Sequence, residues 1–187
     1  MKILHLLLIL SLHTIFAQKP CAYVQNGTDS IGTYKMTKEY LISEKHFADN
    51  SSYVFLNLAI TDNIPTLNMQ TIQKSKHFIP ANCLDKNSKV YLQLQNGGII
   101  TLQHLNQENC STLIQDDKGY NNRVLNGVFL FTKENIQDLL ASPVSFIRIR
   151  FLTESKDYVI PKQLTSELDN TLYTPETYFI DHLHCIK

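Results

Sequence analysis

The chain of 187 residues contains no tryptophan and only six glycines and six prolines. No stretch has the polar, low-complexity composition of a linker or disordered tail. Charge of neither sign is in excess, with 17 basic against 17 acidic residues. A nucleic-acid binder carries a basic surplus or patch, so no nucleic-acid partner is expected, and anionic membranes are disfavoured for the same reason. No apolar run reaches the roughly 20 residues of a membrane-crossing helix, which predicts no stable membrane anchor. There is no Cys-x-x-Cys motif, which argues against thioredoxin-type redox chemistry and zinc ribbons. Gly-x-Ser-x-Gly, a phosphate-binding glycine loop and His-Glu-x-x-His are missing too. The sequence therefore assigns no catalytic residue, no cofactor and no metal.

What is present begins with an export tag. Lys2 supplies a positive start, Ile3 to Leu12 an apolar run, and Thr14-Ile15-Phe16-Ala17 a small-residue exit before Gln18. This is the layout of a secretory signal cleaved after Ala17; the alternative for the run is a buried core helix. Residues 1–17 are read as the signal peptide and residues 18–187 as a single domain that is secreted or periplasmic. Four cysteines, Cys21, Cys83, Cys110 and Cys185, all fall in that domain. An even count in an exported chain favours disulfides, with three pairings possible. Gln18-Lys19-Pro20 before Cys21 lacks the small or apolar residues of a lipoprotein signal.

Alternation and β-branched runs dominate the domain. Tyr53 to Thr61 reads as a buried strand, with Thr33 to Ile42 pairing beside it. Residues 62–82 follow neither a helical nor a strand period and read as irregular. Val90 to His104 reads as a hairpin about Asn96-Gly97-Gly98. A two-residue loop would oppose Leu92 to Thr101. A three-residue loop, Asn96 to Gly98, opposes Leu94 to Ile100 and Leu92 to Leu102 and keeps one face apolar, with Gly98 in the left-handed position. Val124 to Phe131 is a further strand. Thr132 caps a helix over 133–141, with Ile136, Leu139 and Leu140 on one face, ended by Ser142-Pro143. Val144 to Leu152 is a strand with Ile147, Ile149 and Phe151 on one side and Arg148 and Arg150 on the other. A turn near Glu154-Ser155 would oppose Phe151 to Tyr158. Thr174-Pro175-Glu176 starts a second helix running to about Cys185. The fold class is mainly β, an antiparallel sheet or β-sandwich with two short helices at about 133–141 and 175–185.

The hairpin also bears on the cysteines. It returns the chain so that Cys83 and Cys110 come close, one position out of register. That favours Cys83–Cys110 and leaves Cys21 to meet Cys185, joining the two ends of the domain.

Candidate chemistry is sparse. His182 and His184 in Asp181-His182-Leu183-His184-Cys185 form the densest donor cluster, but two residues apart on a helix point about 200° apart, so no metal is assigned. His104 with Glu108 could form an acid–base pair, against the plainer reading of two loop residues. Asp116-Asp117 with Asn121-Asn122 offers oxygen donors for calcium, against ordinary turn formers. Tyr23, Tyr120 and Tyr173 are candidates for a sugar platform. Arg148 and Arg150 share a strand face and form a possible ligand-binding pair for carboxylate or phosphate, against an exposed face paired with Glu154 or Asp157.

The tag ending Phe16-Ala17-Gln18, the hairpin LQNGGIITL (94–102), the strand FIRIRF (146–151) and the ending YFIDHLHCIK (178–187) together give the chain its likeness. It resembles the small, functionally uncharacterised exported proteins common in Bacteroidetes-type bacteria. The resemblance implies an extracytoplasmic β-rich domain and carries no activity. On that implication Asn26-Gly27-Thr28, Asn50-Ser51-Ser52 and Asn109-Cys110-Ser111 are chance matches to the glycosylation pattern. The reading is an exported, non-catalytic domain with a binding or envelope-structural role and an unknown envelope or extracellular partner. The alternative is a small extracytoplasmic hydrolase.

Overall fold

A computed structural model describes residues 19–30, 32–105 and 108–187; the signal peptide expected over residues 1–17 lies outside the described residues. The strands are β1 Tyr23–Thr28, β2 Thr33–Thr37, β3 Tyr40–Phe47, β4 Asn50–Thr61, β5 Ile64–Ser75, β6 Cys83–Leu84, β7 Lys89–Leu94, β8 Ile99–His104, β9 Asn109–Cys110, β10 Thr112–Gln115, β11 Asn121–Leu130, β12 Val144–Arg150, β13 Ser155–Val159, β14 Leu164–Thr165 and β15 Leu172–Tyr173. Two helices follow β11 and β15, α1 Lys133–Ala141 and α2 Tyr178–His182. Eleven strands form one sheet in the order β1-β2-β4-β5-β11-β8-β7-β12-β13, with β3 also on β4 and β10 also on β11. Every pairing in it is antiparallel. The mainly β class with two short helices holds.

The sheet folds along one seam. β11 meets β8 through two residue pairs, Phe129 with His104 and Leu130 with Gln103. On either side the apolar faces turn toward each other and share one core: Leu56, Leu58, Leu67 and Met69 from one half, Val90, Leu92, Leu102, Ile147 and Ile149 from the other. This gives a sandwich-like architecture, closed at one end by Leu139 of α1 and by Tyr178, Phe179 and Leu183. Gly127 on β11 is required by closeness: a Cβ there would stand 2.5 Å from the Leu84 side chain.

β4 and β5 form the long centre of the first half. The region around Thr33 to Ile42 splits in two: β3 pairs the first part of β4 and β2 its end. In the gap, Leu58 donates its backbone N–H to the Thr37 hydroxyl at 2.9 Å, and Thr37 is buried. Such a group would otherwise be an orphaned buried donor.

Segment 62–82 is not irregular. It supplies β5, paired along its length with β4 and β11. Asp62 and Asn63 both take positive φ, 48° and 66°, in a two-residue turn that sets Thr61 opposite Ile64. Such a turn matches the strand twist and suits Asp and Asn. The inward positions are Leu67, Met69, Thr71 and Ser75, all buried. Two of them are polar, so the hydrophobic alternation is masked.

The 90–104 hairpin keeps its apolar face but slides. Val90 opposes Leu102 and Leu92 opposes Ile100. The loop is three residues, Gln95 to Gly97, closed by the Leu94 N–H donating to the Gly98 carbonyl at 2.8 Å. Gly97, at φ 89°, takes the left-handed position rather than Gly98. The slide moves opposed pairs in even steps, so no side chain changes face. The β12–β13 hairpin shifts likewise: Tyr158 opposes Ile147, because the turn tightens to Leu152-Thr153 with the Phe151 N–H on the Glu154 carbonyl.

α1 spans 133–141 as expected. Thr132 accepts from the Asn135 N–H and the Asn135 side chain accepts from the Thr132 N–H, a reciprocal cap. The second helix is broken into a 3-10 turn Pro175–Thr177, then α2, then a 3-10 turn Leu183–Ile186. Thr174 makes no capping bond. Its hydroxyl sits instead between Lys19 Nζ at 3.0 Å and Tyr40 OH at 3.2 Å, so the first turn lacks its cap.

Both disulfides form with the favoured pairing. Cys83 and Cys110 face each other across β6 and β9, in register rather than one position out. Cys21 joins Cys185. Lys19 pairs with Asp181 at 2.7 Å, and Tyr23 OH donates to the Cys185 carbonyl at 2.9 Å, reinforcing that junction.

Candidate functional site

The outward face of β8-β7-β12-β13 is where chemistry-bearing residues collect. Side chains alternate along a strand, so burying Val90, Leu92, Ile147 and Ile149 turns Lys89, Tyr91, Gln93, Phe146, Arg148 and Arg150 outward. Register places them in rows across the strands. Val159, Phe146, Gln93 and Ile99 form one row; Asp157, Arg148, Tyr91 and Thr101 the next; Ser155, Arg150, Lys89 and Gln103 the third. The face holds a shallow concavity of about 610 Å³ lined by Tyr91, Gln93, Ile99, Phe146, Arg148, Arg150 and Ser155.

The two arginines fare differently. Arg148 is gripped by Asp157 through two bonds of 2.7 Å, from Nε and from one terminal nitrogen. This fork lowers the Asp157 carboxyl below its ordinary range and raises the guanidinium. The pair is about half exposed, so its own stabilising effect is small. Arg150 has no ion-pair partner among the described residues, and nor does Lys89, which stands directly opposite it. Like charges facing each other across a sheet repel.

A second constellation lies on the outer face of the β3–β4 hairpin. Ser51 Oγ is 3.0 Å from His46 Nδ1, and His46 Nε2 is 2.7 Å from Glu44 Oε1. The Glu44 side chain is only 3 % exposed, and its Oε2 has no hydrogen-bond partner. Serine, histidine and carboxylate in sequence match the order of a nucleophile, a base and a group that orients the base. Ser51, however, lies mid-sheet between β3 and β5. Strand backbone paired on both sides has its N–H groups committed to the ladders, and among the described residues the structure shows no pair of donors aimed at Ser51 Oγ to hold a developing oxyanion.

The other candidates resolve into structural roles. Buried His104 donates Nδ1–H to the Asp85 carbonyl at 3.0 Å and packs on Phe129, while Glu108 is exposed. Burial lowers the affinity of His104 for a proton. His182 donates Nδ1–H to the Tyr178 carbonyl at 2.9 Å and is likewise shifted down by burial. His184 points the other way, with Nε2 3.2 Å from Cys21 Sγ. It does form a three-donor group with Cys21 and Cys185, but their sulfurs are bonded to each other. Asp116 caps its own turn, accepting from the Lys118 and Tyr120 N–H groups, and takes an ion pair from Lys74 at 2.6 Å. That hold lowers its carboxyl to about 2, and Asn121 and Asn122 spend their amides on backbone carbonyls. Tyr23, Tyr120 and Tyr173 do not share a platform. Tyr23 serves the disulfide junction, Tyr120 lies under Lys74 and Lys76, and Tyr173 stands edge-on to Tyr40.

Sequence reading missed Lys89, Tyr91 and Phe146 as neighbours of the arginines, and missed Ser51-His46-Glu44. The alternation of β7 placed Lys89 and Tyr91 outward, but only the β7–β12 register brings them to Arg148 and Arg150. Among the described residues no helix is long and apolar enough to cross a membrane. Comparison with protein-family models, curated proteins and solved structures finds no match.

Proposed function

We propose that the chain is an exported, non-catalytic domain that binds a ligand in the cell envelope or outside the cell. Two disulfides with no free cysteine among the described residues support an oxidising compartment. The observation that carries binding is the opposed, uncompensated Lys89–Arg150 pair beside the concavity. Two unpaired cations held face to face on paired strands cost stability, and an anion between them removes that cost. Titrating the 18–187 chain with a ligand panel, followed by amide chemical shifts, tests the reading. Localised shifts along Lys89–Gln93 and Phe146–Arg150 are expected, and Arg150→Gln should abolish them. A face unmoved by every ligand class would overturn the proposal.

The hydrolase alternative rests on one observation, the Ser51–His46–Glu44 relay. A fluorophosphonate probe that labels Ser51, with labelling lost in His46→Gln, would favour it over the binding reading. The commitment of the Ser51 strand to ladders on both sides predicts no labelling.

A further inference from the structure

We infer that the outer face of β7 and β12 binds an acidic oligosaccharide, its carboxylate bridging Lys89 and Arg150 and its rings lying on Tyr91 and Phe146. This rests on the reading of that face as a binding site and names its ligand class.

Three features select a carboxylated sugar. The first is the cation pair. A guanidinium takes a carboxylate in a two-pronged grip, and an opposed ammonium adds a second charged contact. Arg148 is unavailable for this, being held by Asp157. The second is the platform. From Arg150 the outward positions of β12 run to Arg148 and Phe146, four residues away, or about 13 Å at the rise of a strand. Tyr91 stands opposite Arg148, midway along that path, and the Arg148 guanidinium lies over the Phe146 ring, 5.9 Å from its centre, so Phe146 shares its surface with that cation. An anion with an adjoining flat body therefore meets charge first and aromatic surface next, and the C–H faces of pyranose rings suit such surfaces. The third is the polar fringe. Gln93, Ser155 and Gln103 are exposed on the same face and offer hydrogen-bond donors and acceptors around the aromatic positions.

An acidic peptide fits less well. Extended peptides gain affinity by adding to a free sheet edge. Here β7 is paired with β8 and β12, and β12 with β7 and β13, so neither strand offers an edge. Two unpaired cations are also too few for a nucleic-acid backbone.

The test uses the 18–187 chain with four probes: an oligogalacturonate, a neutral cello-oligosaccharide, a short polyglutamate and inorganic phosphate, by calorimetry and amide shifts. Oligogalacturonate should bind at least tenfold tighter than the others and move the amides of Tyr91 and Arg150. Arg150→Gln and Lys89→Gln should each weaken it tenfold or more, Tyr91→Ala fivefold or more, and Arg148→Gln by less than threefold. Far-ultraviolet circular dichroism checks that each variant is folded. Neutral sugar binding equally at this face would keep the binding reading and overturn the acidic ligand. Polyglutamate or phosphate matching oligogalacturonate would overturn the sugar. No shift with any probe would overturn the inference, and the wider ligand panel would then decide the binding reading.

Discussion

The two disulfides close very different parts of the molecule. Cys21–Cys185 spans 164 positions and is flanked by the Lys19–Asp181 ion pair, the Tyr23–Cys185 hydrogen bond and the His184 ring. Cys83–Cys110 spans 27 positions and sits in the two-stranded β6–β9 ladder beside the main sheet, with Cys110 exposed. The terminal bridge joins distant segments that no strand pairing brings together. The local bridge fastens a place where the β7–β8 hairpin already returns the chain. Topology does in one region what a covalent bond must do in the other.

Removing each bridge is the strongest way to break that comparison. On the loop-entropy relation the terminal bridge contributes about 5 kcal/mol and the local one about 3.5 kcal/mol, as upper values. Cys21→Ser with Cys185→Ser should therefore lower the denaturation midpoint more than Cys83→Ser with Cys110→Ser. An equal or reversed order in urea unfolding would show that the flanking contacts already order the terminal region. Gly127→Ala gives a smaller effect, about 1–3 kcal/mol of overpacking against Leu84 and Phe129. Because Leu84 neighbours Cys83, that loss should grow when the local bridge is absent; strict additivity in a double-mutant cycle would refute the coupling.

The smallest effect is a pH dependence. His104, near the local bridge, and His182, near the terminal one, both have proton affinity lowered by burial. A depressed histidine leaves the folded state with fewer bound protons than the unfolded chain. Stability is then whole above the ordinary value near 6.5 and falls as pH drops below it. Asp116 behaves differently: its contribution is whole above the ordinary carboxyl value of 3.8 and is lost progressively as pH falls from there toward about 2. His104→Gln and His182→Gln should each flatten the loss of thermal stability between pH 7 and 5. A slope unchanged in both variants would sink this assignment.

How much was legible depended on where the determining information lay. α1 was readable to the residue because Thr132, the apolar face and Ser142-Pro143 are all local. The disulfide pairing was readable because one hairpin reports on both cysteines of the local bridge, and the rest follows by elimination. β5 was not, because its inward positions include the polar Thr71 and Ser75, which break the apolar alternation, and because Asp62-Asn63 lacks the glycine that usually marks a two-residue hairpin turn. Hairpin faces were legible and registers were not: a slide by even steps keeps every apolar residue inward, so burial does not distinguish the alternatives. The candidate site was half legible. Arg148 and Arg150 share a face by period alone. Their different fates follow from Asp157 and Lys89, which adjacent strands bring to them.

The terminal bridge also decides how the domain bears load. Tension applied through chain outside residues 21 and 185 passes from one sulfur to the other, and residues 22–184 lie off the force path. The hydrogen-bonded ladders are mechanically shielded until that bond is reduced. Any attachment at one end also emerges beside the other, since the two Cα atoms are 5.6 Å apart. A tether would therefore hold the molecule by a single point, leaving the face of β7 and β12 free to turn.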